Sequence, residues 1–231
     1  MKEQYSWSVN NIKYGRGDIV NIGCNDCNGC CSCCYGMGDT IIQDPYDLFN
    51  FCSHMRVAGG QRVTFELLIS EDGPWELSYQ DGVTLPNIKM VEDGHCPFLG
   101  ENGRCSIHPI RSGLCRLFPL ARVFEPDKTL SYLILNSELG CKKLKNGADP
   151  VLISNWIGIE DLEQYESFQI NWHDIKLRVS ELCAKLSLDR AQKLRQQLLD
   201  TFYMKSYDRD FYEDFNRRSK VFNEIVEDFT K

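Results

Sequence analysis

A dense run of cysteines near the start of the chain constrains its fold more than any other feature of the sequence. Six of the 12 cysteines fall within eleven residues, as Cys24, Cys27, Cys30, Cys31, Cys33 and Cys34. Two thiolates separated by two residues in a tight turn can bind one tetrahedral ion, which is why this spacing recurs in zinc and iron sites. Repeated along the run, the spacing predicts a metal-binding segment.

Adjacent cysteines set a geometric limit on that segment. Neighbouring side chains in an extended segment point to opposite faces, so Cys33 and Cys34 are poorly placed to bind one ion together. Cys30 and Cys31 have the same relation. The sequence therefore predicts that such a pair serves two metal centres, or two atoms of one polynuclear cluster.

Two known iron-sulfur spacings can be traced through the same run. The C-x2-C-x2-C-x3-C spacing of bacterial ferredoxins, which hold 4Fe-4S clusters, is matched by Cys24, Cys27, Cys30 and Cys34. Tyr35 stands where those proteins have proline. A radical-SAM style C-x3-C-x2-C is matched by Cys27, Cys31 and Cys34. We attribute this second match to chance, because the repeated strand-helix pattern of those enzymes does not accompany it.

Charge and hydropathy limit the cellular compartment and the classes of partner that the sequence predicts. The first ten residues lack the apolar core of a secretory signal, and no apolar run reaches the roughly 18 residues of a membrane span, which predicts a cytoplasmic protein. In a reducing cytosol, clustered cysteines are more often metal ligands or redox groups than disulfides. Lys and Arg number 26 against 33 Asp and Glu, for a net charge of -7. This balance argues against nucleic acid or an anionic membrane as a partner, and leaves a protein or redox partner open.

Glycine and proline divide the chain into two unlike parts. Sixteen of the 17 glycines and seven of the 8 prolines lie at or before Gly147. Breaker-rich sequence favours short elements, whereas breaker-poor sequence permits long helices. We therefore predict an α+β chain. Residues 1–147 would form a small, irregular, cysteine-rich metal domain with short hairpins and helices, and residues 148–231 a helical appendage packed on it.

Local patterns predict the elements of the first part. Asp44-Pro45 predicts the start of a helix that reaches His54, and Thr64 predicts the cap of a shorter helix. Asp-Gly at 81–82 and Pro-Asp at 126–127 predict the turns of two hairpins.

The second part has the apolar spacing of helices. Apolar residues recur at steps of three and four from Trp172, then after a predicted cap at Asp189, and then from Phe211. About three amphipathic helices are predicted, and each needs a surface on which to bury its apolar face.

The remaining cysteines are spread along the chain. Cys96, Cys105, Cys115 and Cys141 lie far apart in the sequence. They can converge only in a folded domain, which predicts that metal binding and folding are coupled. Cys52 and Cys183 stand in apolar surroundings outside both sets, and we predict that they pack as small apolar residues.

The cysteine motifs resemble those of the YkgJ-type proteins, a family of zinc- or iron-chelating domains named for a C-x2-C-x2-C-C motif. That motif here is Cys27, Cys30, Cys33 and Cys34. The second half of the family pattern is matched within residues 96–119 and at Cys141, with Ser112 where the family usually has proline. The resemblance implies a metal site held by Cys27, Cys30, Cys33, Cys34, Cys96, Cys105, Cys115 and Cys141. Cys24 and Cys31 lie beyond the family core and could be extra ligands.

Eight thiolates are enough for two four-cysteine sites. Around two divalent ions they would leave about four negative charges, which nearby cations would offset. Four arginines are close in sequence, namely Arg104, Arg111, Arg116 and Arg122. Spacing and ligand softness leave iron-sulfur and zinc both open, and we favour iron-sulfur. We expect His95 and His108 to face ligands or solvent rather than the metal.

Three functions are compatible with such a site. A non-catalytic metalloprotein would use it in electron transfer or metal handling, and the lack of a nucleotide or acid-base motif favours this function. A metal-dependent enzyme of protein modification is the second, because flagellin lysine N-methylases are similar in their cysteine motifs. A zinc-stapled module that binds a partner through its aromatic helices is the third. No catalytic residue can be named from the sequence, and whether the protein is an enzyme stays open.

Overall fold

The chain folds into two compact units, each built from two separate segments. The computed structural model describes residues 8–9, 11–23, 31–57, 60–136, 148–207 and 210–230. Unit 1 comprises Met1–Met37 and Glu92–Ile170, and unit 2 comprises Gly38–Val91 and Asn171–Lys231. Helices and short antiparallel strand pairs occur together, so the predicted α+β class is confirmed. The boundary near residue 147 stays a prediction about which segments fold independently.

Two small antiparallel sheets form the strand part of unit 1. Strands β1 (Ser8–Val9), β6 (Leu130–Asn136) and β5 (Leu120–Phe124) lie in the order β1-β6-β5. Strand β2 (Ile19–Gly23) pairs with β7 (Asp149–Leu152). The β5-β6 hairpin confirms the turn predicted around Pro126-Asp127, whereas the β1-β6 and β2-β7 pairings join segments that are far apart in the sequence.

Short helices and the start of a long one complete unit 1. They are α3 (Gly113–Leu117), α4 (Ile153–Ile157) and the part of α5 (Leu162–Cys183) up to Ile170. The buried Tyr132 hydroxyl on β6 donates to Glu166 on α5 over 2.6 Å, and Arg16 binds the other carboxylate oxygen at 2.7 Å. Arg122 on β5 donates to the buried Gln169 over 2.6 Å. Because buried polar groups need partners, these bonds fix α5 against the sheet.

Unit 2 begins with elements that match their local sequence signals. Helix α1 (Pro45–His54) has the predicted cap, because Asp44 accepts from the Asp47 amide and Asp47 accepts from the Asp44 amide. Helix α2 (Phe65–Leu68) is the predicted short helix. Strands β3 (Trp75–Gln80) and β4 (Val83–Ile88) form the other predicted hairpin. Its turn residues Asp81 and Gly82 have φ values of 48° and 83°, as a tight primed turn requires.

Three helical segments supply most of the aromatic core of unit 2. They are the rest of α5, α6 (Leu188–Phe202) and α7 (Phe211–Phe229). Trp172 is 2% exposed and packs edge-on against Phe202, with ring centroids 5.2 Å apart, and against Phe215. The predicted third helix from Phe211 is confirmed, whereas α5 extends back beyond Trp172 to Leu162.

The predicted cap at Asp189 is wrong. Helix α6 starts at Leu188, so that Ser187 is the capping residue and Asp189 lies in the first helical turn. There the Asp189 carboxylate pairs with Lys193, one turn on, at 2.7 Å. An acidic residue is favoured both at the cap and in the first turn, because both positions lie near the positive end of the helix dipole. The residue type alone therefore does not show which of the two positions Asp189 occupies.

Among the described residues, none of the helices combines the length and apolar composition needed to cross a membrane.

Candidate metal centre

A tight hairpin brings two of the predicted ligands together. Leu99 pairs with Cys105 in an antiparallel bridge, and the Ser106 amide donates to the Phe98 carbonyl over 2.8 Å. The Ser106 hydroxyl donates to the same carbonyl over 3.0 Å. Leu99 is itself bonded back to Cys96 through its amide, at 3.0 Å. The hairpin therefore folds the chain back on itself, so that the backbone of Cys105 lies opposite Leu99 and close to the segment that begins at Cys96.

The turn of this hairpin is set by glycine. The Gly100 amide donates to the Arg104 carbonyl over 2.8 Å, and the Gly103 amide donates to Gly100 over 2.9 Å. Gly103 has a φ of 73°, in the left-handed region that only glycine adopts freely. Asn102 accepts from the Arg104 amide at 3.0 Å, which closes the loop. We refer to residues 96–107 as the cysteine hairpin.

Backbone amides point at both sulfurs of the cysteine hairpin. The Phe98 amide donates to the Cys96 sulfur and the Ile107 amide donates to the Cys105 sulfur, two residues after each cysteine. Burial raises the pKa of both thiols, and these hydrogen bonds oppose that rise because they stabilise the thiolate. The hairpin thus presents half-buried sulfurs with donors already in place for the charged form that binds metals.

The N-terminal cysteine run supplies a third sulfur to this neighbourhood. Cys33 raises the pKa of both Cys96 and Cys105 through charge repulsion, after the larger contribution of burial. The N-terminal run and the hairpin thus meet in the folded chain, although more than 60 residues separate Cys33 from Cys96 in the sequence.

A two-stranded contact joins the run to the hairpin. Tyr35 pairs with His95, and the Cys96 amide donates to the Cys34 carbonyl over 2.8 Å. The Tyr35 and His95 rings lie on the same face, with centroids 5.8 Å apart. His95 Nδ1 lies within hydrogen-bond distance of the Asp93 carboxylate. That His95 faces ligands or solvent rather than the metal stays a prediction.

The premise that Cys33 and Cys34 lie in an extended segment is wrong. Ser32–Cys34 form one turn of 3-10 helix, closed by the Cys34 amide on the Cys31 carbonyl at 2.8 Å. With three residues per turn, neighbouring side chains diverge by about 120° rather than 180°. That the two thiols serve different metal atoms stays a prediction, which now rests on this turn rather than on an extended segment.

The match to known proteins covers the whole of this arrangement. A family model named CxxCxxCC, described as "Putative zinc- or iron-chelating domain", matches residues 24–142, just over half of the 231 residues. The chain belongs to the CxxCxxCC family. No curated protein and no solved structure matches the chain.

The residues of the CxxCxxCC segment fit zinc or iron by the chemistry of their donors. Thiolates suit both metals, and amide-to-sulfur hydrogen bonds are what an anionic thiolate site needs. Within the described ranges, no group of three or more His, Cys, Asp or Glu side chains is arranged to hold an ion. Four cysteines fall outside those ranges, namely Cys24, Cys27, Cys30 and Cys141. Cys31 and Cys115 are described and half-buried, the latter on α3.

The four arginines expected to neutralise the thiolates have different roles. The charge of Arg111 lowers the pKa of Cys105. Arg116 donates to the carbonyl of Arg111 over 3.0 Å and also to that of Pro109, and Arg122 donates to Gln169. Proximity in the sequence identified the four arginines as a group, but their different contacts appear only in the folded chain.

A cavity of about 390 Å³ in unit 2 is a second candidate site. It is lined by parts of α1 and α2 and by the segment that follows α6, including Tyr203 and Tyr207. Arg62 and Glu66 on its wall have opposite charges, and both act on Cys52. The lining of this cavity therefore selects neither an anionic nor a cationic ligand. The cysteine hairpin is the stronger candidate for the functional site.

Cys52 should react slowly with alkylating agents in the folded protein. Burial, followed by the nearby Glu66 carboxylate, raises the pKa of this thiol from 9.0 to about 11. Two pKa units leave about 100-fold less thiolate at neutral pH, and only the thiolate is nucleophilic. Iodoacetamide labelling mapped by mass spectrometry should show labelling of Cys52 about 100-fold slower than in urea, and rising towards pH 11. Equal rates in the folded and unfolded states would contradict this assignment.

Proposed function

We propose that this CxxCxxCC protein holds a thiolate-bound metal centre to which Cys33, Cys96 and Cys105 belong. The observation that carries the proposal is the backbone pairing that brings the two cysteine segments together, in which the Cys96 amide donates to the Cys34 carbonyl over 2.8 Å and Leu99 pairs with Cys105. Thiolates that are brought together repel one another, and a zinc ion or an iron-sulfur cluster would supply the positive charge that offsets this repulsion.

The fourth ligand of this centre would come from the N-terminal run. Cys30 lies three residues before Cys33, which is the spacing at which two thiolates bind one ion. Cys27, Cys34, Cys115 and Cys141 remain for a second centre or for further atoms of a cluster. Cys24 and Cys31 would be extra ligands.

An iron-sulfur cluster is our first assignment for the metal, with zinc as the second. The divergence of Cys33 and Cys34 in their 3-10 turn suits two metal atoms better than a single ion. Half-buried thiolates place a cluster near the surface, where electrons can pass to a protein partner. We propose electron transfer for the iron-sulfur form and metal handling or structural stapling for the zinc form.

Anaerobic purification followed by metal and sulfide analysis tests the proposal. An iron-sulfur protein should be brown, contain iron and acid-labile sulfide in equal amounts, and change its optical spectrum reversibly on reduction. A colourless protein with stoichiometric zinc would replace the first assignment by the second. A protein that carries neither metal after expression in iron- and zinc-supplemented medium would overturn the proposed function altogether.

A further inference from the structure

The cavity of about 390 Å³ in unit 2 lies at the lower end of the size range of small-molecule sites, which is about 300–1,000 Å³. Its walls come from α1, from residues 62–66 and from residues 203–207. All three segments belong to unit 2, whereas the cysteines proposed as metal ligands belong to unit 1. A ligand of this cavity would therefore be a second function of the chain, independent of the metal.

The floor of the cavity is apolar and aromatic. Leu48, Phe65 and Tyr203 line it and are no more than 3% exposed. The rings of Phe65 and Tyr203 lie with their centroids 5.4 Å apart. The hydroxyls of Tyr203 and Tyr207 each donate to a backbone carbonyl over 2.9 Å. Because these hydroxyls already have partners, the two tyrosines contribute their rings to the lining of the cavity.

Arg218 on α7 holds one wall of the cavity in place. Its guanidinium donates to the carbonyls of Thr201, Lys205 and Ser206 over 3.2, 2.9 and 2.6 Å. It also lies over the Tyr207 ring, 3.9 Å from the centroid. These contacts fix the segment that follows α6 before any ligand arrives. A wall that is already ordered lowers the entropy cost of binding.

Two exposed side chains of opposite charge, Arg62 and Glu66, also line the cavity. Each ion pair among the described residues of unit 2 involves Asp189 or Asp214. Within that part of the chain, Arg62 and Glu66 are therefore in no ion pair. A ligand with a single charge would be attracted by one of them and repelled by the other, whereas a ligand that carries both charges can pair with both.

We propose that this cavity binds a free α-amino acid with an aromatic side chain. The ring would pack on the apolar floor, where aromatic pairs gain energy beyond the area that they bury. The carboxylate would pair with the Arg62 guanidinium, whose fork of N–H donors matches a carboxylate, and the ammonium group would pair with Glu66. Thr64 also lines the cavity, and its hydroxyl makes no capping bond to α2, so it is a further hydrogen-bonding group for the ligand.

Isothermal titration calorimetry of the full-length protein with L-phenylalanine, near neutral pH, tests this inference. Two analogues keep the ring and lose one charge each, because phenethylamine lacks the carboxylate and 3-phenylpropionate lacks the ammonium group. L-Phenylalanine should bind about 10-fold more tightly than either analogue, since each charge-assisted hydrogen bond contributes about one factor of ten.

Substitution of the two charged residues assigns each group of the ligand to its partner. Arg62→Gln should weaken L-phenylalanine and 3-phenylpropionate about 10-fold and leave phenethylamine unchanged. Glu66→Gln should weaken L-phenylalanine and phenethylamine and leave 3-phenylpropionate unchanged. Lys193→Gln is the matched control, because it removes a charge from an exposed ion pair elsewhere in unit 2 and should bind all three compounds as the wild type does.

Cys52 lines the cavity and reports whether it is occupied. Saturating L-phenylalanine should slow iodoacetamide labelling of Cys52 several-fold and leave the labelling of Cys183, which is half-buried in the same unit, unchanged. The inference is overturned if L-phenylalanine does not bind at millimolar concentration, or if either analogue binds as tightly. It is also overturned if Arg62→Gln and Glu66→Gln bind L-phenylalanine as Lys193→Gln does, or if Cys52 is protected no more than Cys183. None of these outcomes depends on metal content, so failure here is distinguishable from failure of the proposed function.

Discussion

Replacing Cys105 with serine should remove metal from the protein and lower its thermal stability sharply. Cys105 presents a half-buried sulfur that accepts from the Ile107 amide, and we propose it as a metal ligand. A serine hydroxyl does not ionise near neutral pH and is a poor ligand for soft metals, so one thiolate is lost outright. Affinity should fall by more than the roughly 100-fold that is typical of neighbouring, non-ligating residues. Metal analysis of the purified variant and a thermal melt measure both effects.

Cys183→Ser is the matched control for that substitution. Cys183 ends α5, and its sulfur donates weakly to the Ala191 carbonyl at 3.6 Å in unit 2. The chemical change is identical, but the prediction is that metal content stays that of the wild type. If Cys105→Ser keeps its full metal content and melting temperature, Cys105 is not a ligand. If both variants lose metal, the loss reflects general damage rather than removal of a ligand.

Replacing Trp172 with alanine should destabilise unit 2 by about 3–5 kcal/mol, the usual cost of removing a fully buried aromatic side chain. Trp172 is 2% exposed and contacts the rings of Phe202, Tyr203 and Phe215. Its removal leaves a cavity whose walls are large, rigid rings that cannot collapse into the space. Urea unfolding followed by circular dichroism measures the change, since α5, α6 and α7 account for most of the helix.

The control for Trp172 lies on the same helix. Leu177 is 48% exposed, so Leu177→Ala should change the free energy of unfolding by no more than about 0.5 kcal/mol. Metal content should be unchanged in both variants, because the proposed ligands Cys33, Cys96 and Cys105 belong to unit 1. Equal destabilisation by the two substitutions would show that Trp172 does not occupy the core.

The elements that could be predicted from sequence have signals among adjacent residues. Helix α1 carries its cap, its proline and its reciprocal acid within Asp44 to Asp47. The β3-β4 hairpin has its turn chemistry at Asp81-Gly82. The N-terminal extension of α5 could also have been predicted from the sequence, because the helical spacing of apolar residues continues back from Trp172. The residues that carry it are all buried, namely Leu162, Tyr165, Phe168 and Trp172.

Elements that depend on distant partners could not be predicted. Strand β2 pairs Ile19 with Leu152 of β7, and neither segment shows which partner it will take. Contacts of this kind are decided by packing in the folded chain rather than by local propensity. For the same reason, the sequence does not predict that each unit is built from two separate segments.

The candidate site follows the same rule. Spacing identified the cysteines, and the structure shows that the backbone of Cys34 meets that of Cys96 and that Leu99 pairs with Cys105, whereas the metal-binding roles of all these cysteines stay predictions. The amide donors of the cysteine hairpin depend on its turn, and no motif encodes them.

The contact between Cys34 and Cys96 also bears on how the protein is made. Cys34 leaves the ribosome 62 residues ahead of Cys96. At about 5–20 residues per second, the N-terminal cysteines wait about 3–12 seconds before the hairpin that they join exists. During that interval, the thiols have no folded partner and are open to oxidation and to capture of the wrong metal. The yield of correctly loaded protein should therefore depend on the reducing power and metal supply of the cell during translation.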